Sequence, residues 1–198
     1  QVMGENPEWA AIFGSYDDAP DAPNFASQYK NLLHHYVHQQ AHEDASTFWT
    51  GCGAIRAEAF RAANGFDAVY RIPSMEDIEL GYRLRASGRR IRLVKSLQVK
   101  HLKHWTASSL IRADFLARAL PWSRLILTSG VLINDLNVTV RSRVCALLVY
   151  GLLLTLALAI RWPVMLWLAA LQAIALLVLN ADLYRFFLRK RGLLFTLA

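Results

Sequence analysis

The sequence predicts an α/β domain followed by an interfacial amphipathic segment and a transmembrane helical hairpin. Two observations carry this prediction. In the first half, short apolar stretches alternate with amphipathic ones, as in WAAIF at 9–13 and the helical pattern over 24–43. In the second half, two uncharged apolar runs occupy 144–160 and 163–181, and such runs are typical of membrane spans. We therefore divide the chain into 1–106, 107–140 and 141–198.

Charge is distributed unevenly along the chain. Residues 1–79 hold twelve acids and four Lys or Arg, a net charge of −8, whereas 80–198 hold three acids and eighteen Lys or Arg, a net charge of +15. Because the basic half also holds the apolar runs, we expect it to contact anionic membrane lipids and not nucleic acid. Cys52 and Cys145 lie in different contexts, which predicts neither a disulfide nor a CxxC metal site.

The first element in the chain is a predicted buried strand over 9–13, which runs into a loop. Asp17 and Asp18 lie in that loop. Loops at the carboxyl ends of strands are where open α/β sheets bind ligands, so both acids are candidate metal or substrate ligands. Acids beside prolines also form turns, and the sequence leaves both interpretations open.

A helix is predicted over 24–43 from apolar residues at helical spacing. Its predicted apolar face consists of Phe25, Tyr29, Leu32, Leu33, Tyr36 and Val37. His34, His38 and His42 recur every four residues, a spacing that can bind zinc, but no third ligand follows at a recognisable distance. We expect these histidines to line a cleft or to bond to the backbone.

The next stretch, TFWTGCGAI at 47–55, predicts a strand interrupted by Gly51 and Gly53. Glycines inside a strand mark either a close approach of the backbone to a ligand or a bulge, here beside Phe48 and Trp49. A short helix over 56–63 then ends at Asn64-Gly65, a pair typical of a left-handed C-terminus.

The acidic stretch 73–88, PSMEDIELGYRLRASG, predicts a short helix that ends at Gly88. Ser74 is its predicted N-cap, in a near capping box with Asp77. Its first turn also places Glu76 beside Asp77. Acids there complement the helix dipole, but a carboxylate pair also suits acid–base catalysis, and residue types alone leave both readings open.

Two β-like segments, 91–94 and 97–100, lead to HLKHW at 101–105. Here His101 and His104 flank Lys103, and Trp105 follows. Imidazole and ammonium groups close together suit a metal-bound diphosphate, since histidine ligates the metal and the cation offsets phosphate charge. The alternative is a basic strand end whose side chains extend into solvent.

Downstream, residues 107–137 mix apolar residues with arginines and are interrupted at Leu120-Pro121-Trp122. We expect this segment to lie along a membrane surface with Trp122 at headgroup depth. The runs 144–160 and 163–181 are long enough to cross a bilayer, with a tight turn at Arg161-Trp162. Basic residues at both outer flanks predict a multi-pass protein of the inner membrane with a cytoplasmic catalytic part.

Taken together, these motifs resemble the membrane-bound family 2 glycosyltransferases, the inverting group that includes cellulose and hyaluronan synthases. The resemblance spans about 9–140. It rests on FGSYDDAP at 13–20, FWTGCGAIR at 48–56, NGFD at 64–67, MEDIELGYRL at 75–84 and HLKHW at 101–105, followed by PW at 121–122 and NDLN at 134–137.

The resemblance implies a GT-A fold and inverting transfer of a sugar from a nucleotide-sugar donor to a hydroxyl of a lipid or saccharide acceptor. In this family the aspartate of the ED motif is the general base, which corresponds to Asp77, with Glu76 as its neighbour. His101 corresponds to a metal ligand for Mg or Mn, and Trp105 to a substrate platform. His104 stands where Arg is usual, so we expect Lys103 to share its diphosphate contact.

We also expect substrate contacts at Gly51, Cys52, Gly53, Asp17 and Asp18. The family's DxD metal motif is absent here, and the chain opens without Met or a signal peptide close to a strand. We therefore expect a C-terminal portion whose nucleotide-binding half lies upstream of Trp9, and which alone binds nucleotide sugar poorly. The competing hypothesis is a non-catalytic, membrane-anchored module that binds lipid or a partner.

Overall fold

The computed structural model describes residues 2–71 and 73–198 and divides them into two compact units, Gln1–Leu136 and Asn137–Ala198. The first unit contains α1 (Val2–Glu5), β1 (Trp9–Tyr16), α2 (Phe25–Gln40), β2 (Gly53–Ile55), α3 (Ala57–Ala62), α4 (Glu76–Ala86), β3 (Arg90–Val99), α5 (Ala107–Asp114) and α6 (Leu120–Ser129). The second contains α7 (Val140–Ala159), α8 (Met165–Leu179), α9 (Ala181–Arg191) and α10 (Leu193–Leu197). A 3₁₀ turn, Leu136–Val138, lies at the division. The fold is thus mixed α/β.

A three-stranded sheet in the order β2-β1-β3 forms the centre of the first unit. Strand β1 pairs antiparallel with β2 and parallel with β3, with Phe13 opposite Leu93. Every residue of β1 before Tyr16 is buried, as the apolar run at 9–13 predicts. Helix α4 packs its fully buried Leu80 and Leu84 into the core beside Phe13 and Leu93.

The segment predicted as one strand over 47–55 has a different structure. A 3₁₀ turn occupies Thr50–Cys52, and the strand is limited to Gly53–Ile55. A Cβ on Gly51 would lie 2.2 Å from the Trp49 ring, and one on Gly53 would lie 2.5 Å from the Trp49 carbonyl oxygen. The predicted interruption at the glycines is present, but only Gly53–Ile55 of the predicted strand is extended, because the chain folds back on its own bulky aromatic side chains before it.

Helix α2 is confirmed, but its predicted apolar face is wrong. Of the six apolar residues assigned to that face only Leu32 is buried, and Phe25 is exposed. The buried side chains include Ser27, Lys30, Asn31 and His38. The face turned towards the protein is therefore largely polar, because it borders a cavity and not only the core.

The segment after the sheet is helical from Ala107 to Ser129, with a π-helical turn at Phe115–Ala119 between α5 and α6. Pro121 therefore does not break the helix in two, since the π turn just before it accommodates the missing backbone donor. Trp122 is buried and its Nε1 donates to the Tyr82 hydroxyl at 3.2 Å. Its predicted position at headgroup depth is wrong, because this side chain anchors α6 to α4.

In the second unit, α7 and α8 pack against each other across the turn at 160–164. Asn180 donates to the Cys145 sulfur at 3.4 Å, and both cysteines of the chain are free. On length and composition α7 could cross a membrane, and α8 with α9 would form a second span bent by 60°. The second apolar run thus forms one helix of 15 residues, α8, and the bend follows it at Asn180.

Candidate active site

Two cavities adjoin in the first unit, and four side chains line both of them: Trp49, Lys103, Trp105 and Arg118. The larger, with a volume of about 230 Å³, also has both acids of the ED pair, Glu76 and Asp77, in its wall. We call it the carboxylate cavity. The smaller, of about 160 Å³, also has Lys30, His34 and Tyr16 in its wall, and we call it the basic cavity.

Asp77 lies in the first turn of α4 and is 9% exposed. One turn later, Gly81 lets the backbone of 47–48 come close, since a Cβ there would lie 2.4 Å from the Phe48 nitrogen. This close approach brings Thr50 to the carboxylate. Thr50 donates to Asp77 Oδ2 from both its backbone nitrogen and its hydroxyl, each at 3.0 Å, and the other oxygen accepts from the Ile78 nitrogen at 2.8 Å.

The pKa of Asp77 is raised above its ordinary value, chiefly because burial disfavours the charged carboxylate. The two hydrogen bonds from Thr50 act in the opposite direction, and the neighbouring Glu76 adds a smaller upward contribution. The direction agrees with the proton affinity that a general base requires. Its main cause is burial, whereas the sequence suggested the adjacent carboxylate.

The other acid of the pair, Glu76, turns back to the loop before the helix. Its Oε2 accepts from the Ser74 nitrogen at 2.6 Å. The helix begins at Glu76 with Met75 as its N-cap residue, and the Ser74 side chain makes no cap hydrogen bond. The predicted Ser74 cap is therefore wrong, since Met75 is the N-cap residue and the acid that accepts from the Ser74 backbone is Glu76 and not Asp77.

No acid lines the basic cavity, and three of its lining residues are Lys30, Lys103 and Arg118. Asp114 lies behind the wall and accepts from Lys30 at 2.6 Å and from Arg118 at 2.8 Å. One carboxylate thus serves two cations, and Lys103 adds a third positive charge. Burial and the nearby Arg118 lower the pKa of Lys30, opposed by Asp114. An anion would relieve this excess of positive charge.

Two histidines of the basic cavity face Tyr16 from different directions. The His34 ring stacks on Tyr16 at 5.8 Å between centroids, and His101 meets it edge-on at 4.4 Å. Burial, followed by nearby cations, lowers the pKa of both imidazoles, and that of His34 is well below its usual range. In the part of the chain that the structure describes, the buried Nδ1 of each has no hydrogen-bond partner.

His101, the predicted metal ligand, could offer a nitrogen to a metal in this cavity, as could His34. His101 is buried and its Nδ1 has no hydrogen-bond partner among the described residues, and its lowered pKa keeps the imidazole neutral, as ligation requires. Within 2–71 and 73–198 no three His, Cys, Asp or Glu residues cluster closely enough to hold a metal. His101 therefore fits a metal as one ligand of a set that these residues do not complete.

The residues of the HLKHW motif do not all line the cavities. Lys103 lies over the Trp105 ring, with Nζ 3.8 Å from its centroid, and both side chains line both cavities. Trp105 is buried and its ring is parallel to that of His101 at 6.4 Å. His104 is exposed and lines neither cavity.

The glycine-marked turn contributes one of its three predicted site residues to a cavity. Gly51 lines the carboxylate cavity beside Thr50. Cys52, in the 3₁₀ turn, and Gly53, at the start of β2, line neither cavity. The two glycines instead allow a close approach to Trp49 in this turn, and Gly51 also borders the cavity.

Asp17 and Asp18, predicted as metal or substrate ligands, line neither cavity. Asp17 Oδ1 accepts from the Ala19 nitrogen at 3.1 Å, and the Asp17 carbonyl oxygen accepts from Asn31 at 2.7 Å. The first bond closes a turn and the second ties the loop to α2. Asp17 therefore matches the turn-forming alternative.

Several residues that line the cavities carry no functional prediction from the sequence. Thr50 lies in the quoted motif but was not assigned a role, and Lys30, Tyr16 and Trp49 carried no functional prediction. Arg118 was assigned to a membrane-facing segment, yet it lines both cavities. A usable signal for Lys30 was its place one turn before His34, which puts both on one face of α2.

Comparison with known proteins gives one match. Residues 31–106 match the family model described as N-terminal domain of galactosyltransferase. Neither the curated proteins nor the solved structures compared with the chain give a match. The matched stretch includes Asp77, Thr50, His34, His101 and Trp105, so it covers much of both cavities. This match supports a glycosyltransferase domain in the first unit and, with it, sugar transfer from a donor to an acceptor.

Proposed function

We propose that the chain carries the acceptor side and the general base of an inverting, membrane-bound glycosyltransferase of the family 2 type with a GT-A fold. The observation that carries the proposal is Asp77, a buried carboxylate with a raised pKa at a cavity that adjoins an acid-free basic one. The buried carboxylate suits proton abstraction, and the basic cavity suits a diphosphate.

In the proposed reaction an acceptor hydroxyl in the carboxylate cavity attacks the anomeric carbon of the donor sugar. The new bond joins acceptor oxygen to that carbon, and the bond from carbon to the diphosphate oxygen breaks. The proton passes to Asp77, and the electron pair leaves with the diphosphate. Thr50 fixes the orientation of the carboxylate through its two hydrogen bonds to Oδ2, so that Oδ1 is the more available acceptor.

The leaving diphosphate would be held by Lys30, Lys103 and Arg118 in the basic cavity. Arg118 takes the part that the resemblance assigns to an Arg at position 104, since His104 is exposed and away from the cavity. His101 would offer a nitrogen ligand to Mg or Mn, which when bound offsets the charge of the leaving group. Trp105, between the two cavities, would form the platform on which the sugar rests.

We further infer attachment to the inner membrane with the catalytic part in the cytoplasm. Helix α7 is long and apolar enough to span a bilayer, and Arg141 and Arg143 lie at its beginning. Positive residues at such a flank favour the cytoplasmic side. The proposed interfacial segment over 107–140 is not separate from the catalytic domain, since its Ala113, Ala117 and Arg118 line the carboxylate cavity.

The test is Asp77→Asn in the gene product expressed in its native membranes, with transfer from radiolabelled nucleotide sugars as the readout. We expect a loss of at least about a hundredfold, in the range of general-base catalysis. Glu76→Gln is the matched control at the neighbouring position and should lose much less, since its carboxylate holds the Ser74 backbone. Unchanged transfer by Asp77→Asn would refute the role of Asp77 as general base, and absence of transfer by the wild type would favour the non-catalytic module.

A further inference from the structure

A third cavity lies along α6, outside the two already described. Its volume is about 530 Å³, and it is lined by Val69, Tyr70, Leu120, Pro121, Arg124, Leu125 and Thr128. Most of these side chains are hydrocarbon or largely so. Among the described residues the lining contains one cation and no acid, so it suits an apolar group whose linkage is neutral or anionic. We call it the apolar cavity.

The apolar and carboxylate cavities are bordered by the same helical segment. Ala113 lies on α5, Ala117 in the π-helical turn, and Pro121 and Leu125 on α6, so all four lie along one continuous helical segment. The first two line the carboxylate cavity and the last two line the apolar cavity. From Ala117 to Leu125 the helix rises by about 12 Å, at roughly 1.5 Å per residue.

The opposite wall repeats this order. Val69 and Tyr70 border the apolar cavity, whereas Pro73, Ser74 and the carboxylates that follow border the carboxylate cavity. One loop and one helix therefore each border both the carboxylate cavity and the apolar cavity. A molecule lying between them would place one end at Asp77 and its other end against Leu125.

The two carboxylates restrict the reacting end of such a molecule. A phosphate nucleophile would be repelled by Glu76 and Asp77 and would need no base, whereas a hydroxyl is uncharged and needs one. The apolar cavity restricts the other end, because burying sugar hydroxyls against aliphatic side chains without partners is unfavourable. Hydrocarbon placed there gains free energy with every methylene removed from water.

We propose that the acceptor is an amphiphile, a lipid with a hydroxyl-bearing head group. Its head group occupies the carboxylate cavity with the hydroxyl at Asp77, and its hydrocarbon chain occupies the apolar cavity beside Val69 and Leu125. The proposal rests on the proposed function for the position of the reacting hydroxyl. It distinguishes this enzyme from one that extends a water-soluble saccharide.

Photolabelling tests the occupant without requiring turnover. The whole chain is reconstituted in phosphatidylcholine vesicles doped with a glucosyl lipid that carries a diazirine in its alkyl chain, and labelled peptides are mapped by mass spectrometry. We expect labels on the peptides that contain Val69 and Leu125. Leu125→Glu should lower this labelling by about tenfold, since a charge replaces apolar lining.

The matched control is Leu127→Glu on the same helix, where the side chain is 83% exposed and lines no part of the apolar cavity. It should leave the labelling unchanged. Equal loss in both variants would mean that the helix merely touches lipid, and would overturn the proposal. Val69→Glu, at an exposed loop position, must also lower the labelling, which covers the case in which Leu125→Glu does not fold.

Asp77→Asn separates this proposal from the proposed function. If labelling of the apolar cavity persists in Asp77→Asn while transfer is lost, both stand. If transfer survives that substitution, the role of Asp77 as general base fails and the labelling still reports on the lipid. Absence of label from the apolar cavity, or its displacement by free glucose at the concentration of the lipid, overturns the amphiphile alone.

Discussion

Thr50→Val is expected to move the acidic limb of the pH–rate profile to higher pH. Valine keeps the shape of threonine but removes the hydroxyl that donates to Asp77 Oδ2 at 3.0 Å. The backbone nitrogen of residue 50 still donates to the same oxygen. The substitution therefore removes one of three hydrogen bonds to this carboxylate and leaves the surrounding packing in place.

The size of the effect follows from the charge of the acceptor. A hydrogen bond to a charged group contributes about 1.5–3 kcal/mol. The protonated carboxyl is neutral, so removal of the hydroxyl destabilises it less than the carboxylate. Because the Thr50 hydroxyl lowers the pKa of Asp77, its removal raises that pKa further above the ordinary value. On the acidic limb, where only the charged base reacts, turnover should fall roughly tenfold or more.

The assay compares transfer rates over the acidic half of the pH profile for the wild type, Thr50→Val and Thr50→Ser. Serine retains a hydroxyl that can reach Oδ2, so its limb should coincide with that of the wild type. The reasoning is refuted if the limb of Thr50→Val stays in place or moves to lower pH. It is also refuted if both variants shift equally, since the hydroxyl would then not be the cause.

Two further predictions concern the histidines and the basic cavity. Burial lowers the pKa of His38 from 6.5 to about 4, so the unfolded chain binds a proton in that range and stability falls as the pH drops through it, by up to about 3 kcal/mol. Urea unfolding at both ends of this pH range measures the effect. The free energy of unfolding of His38→Phe should fall less than that of the wild type, and we attribute the fall that remains to His34. Arg118→Gln should weaken calorimetric binding of inorganic pyrophosphate roughly tenfold, whereas Arg112→Gln, exposed on the same helix, should not.

Features that depend on neighbours in sequence were predicted well. Asn64 and Gly65 both have a left-handed backbone, as a helix C-terminus with that pair requires. The acids of α4 lie in its first turn, and Gly88, with φ of +77°, follows its last residues. The burial of strand β1 was predicted equally well from its apolar run. Each of these features is determined by a few neighbouring residues.

Features that depend on distant residues could not be predicted from the same patterns. The 47–55 stretch has strand-like composition, but its aromatic side chains fold over the glycines beside them. The polar face of α2 is buried because Trp105 and Asp114, far along the chain, bond to Ser27 and Lys30. Hydrophobic periodicity measures burial against a core and gives no information about burial against a charged cavity.

Arg118 illustrates the same limit from the side of charge. Arginines on an amphipathic helix normally point to water or to lipid headgroups, and this one was assigned accordingly. In the structure it lines both cavities and bonds to Asp114, which also holds Lys30 of α2. Only the packing of α5 on α2 identifies it, and the sequence separation between them conceals that contact.

The electrostatics of Asp77 separate the two interpretations that residue type left open. A carboxylate that merely complements a helix N-terminus remains in contact with water, and the dipole lowers its pKa. Asp77 is buried and its pKa is raised, so folding disfavours its charged form and its contribution to stability declines as the pH rises past its ordinary value. A helix cap would contribute with the opposite sign. The fold thus retains a carboxylate that lowers its stability at neutral pH, which agrees with the proposed role of Asp77 as a base and not with helix capping.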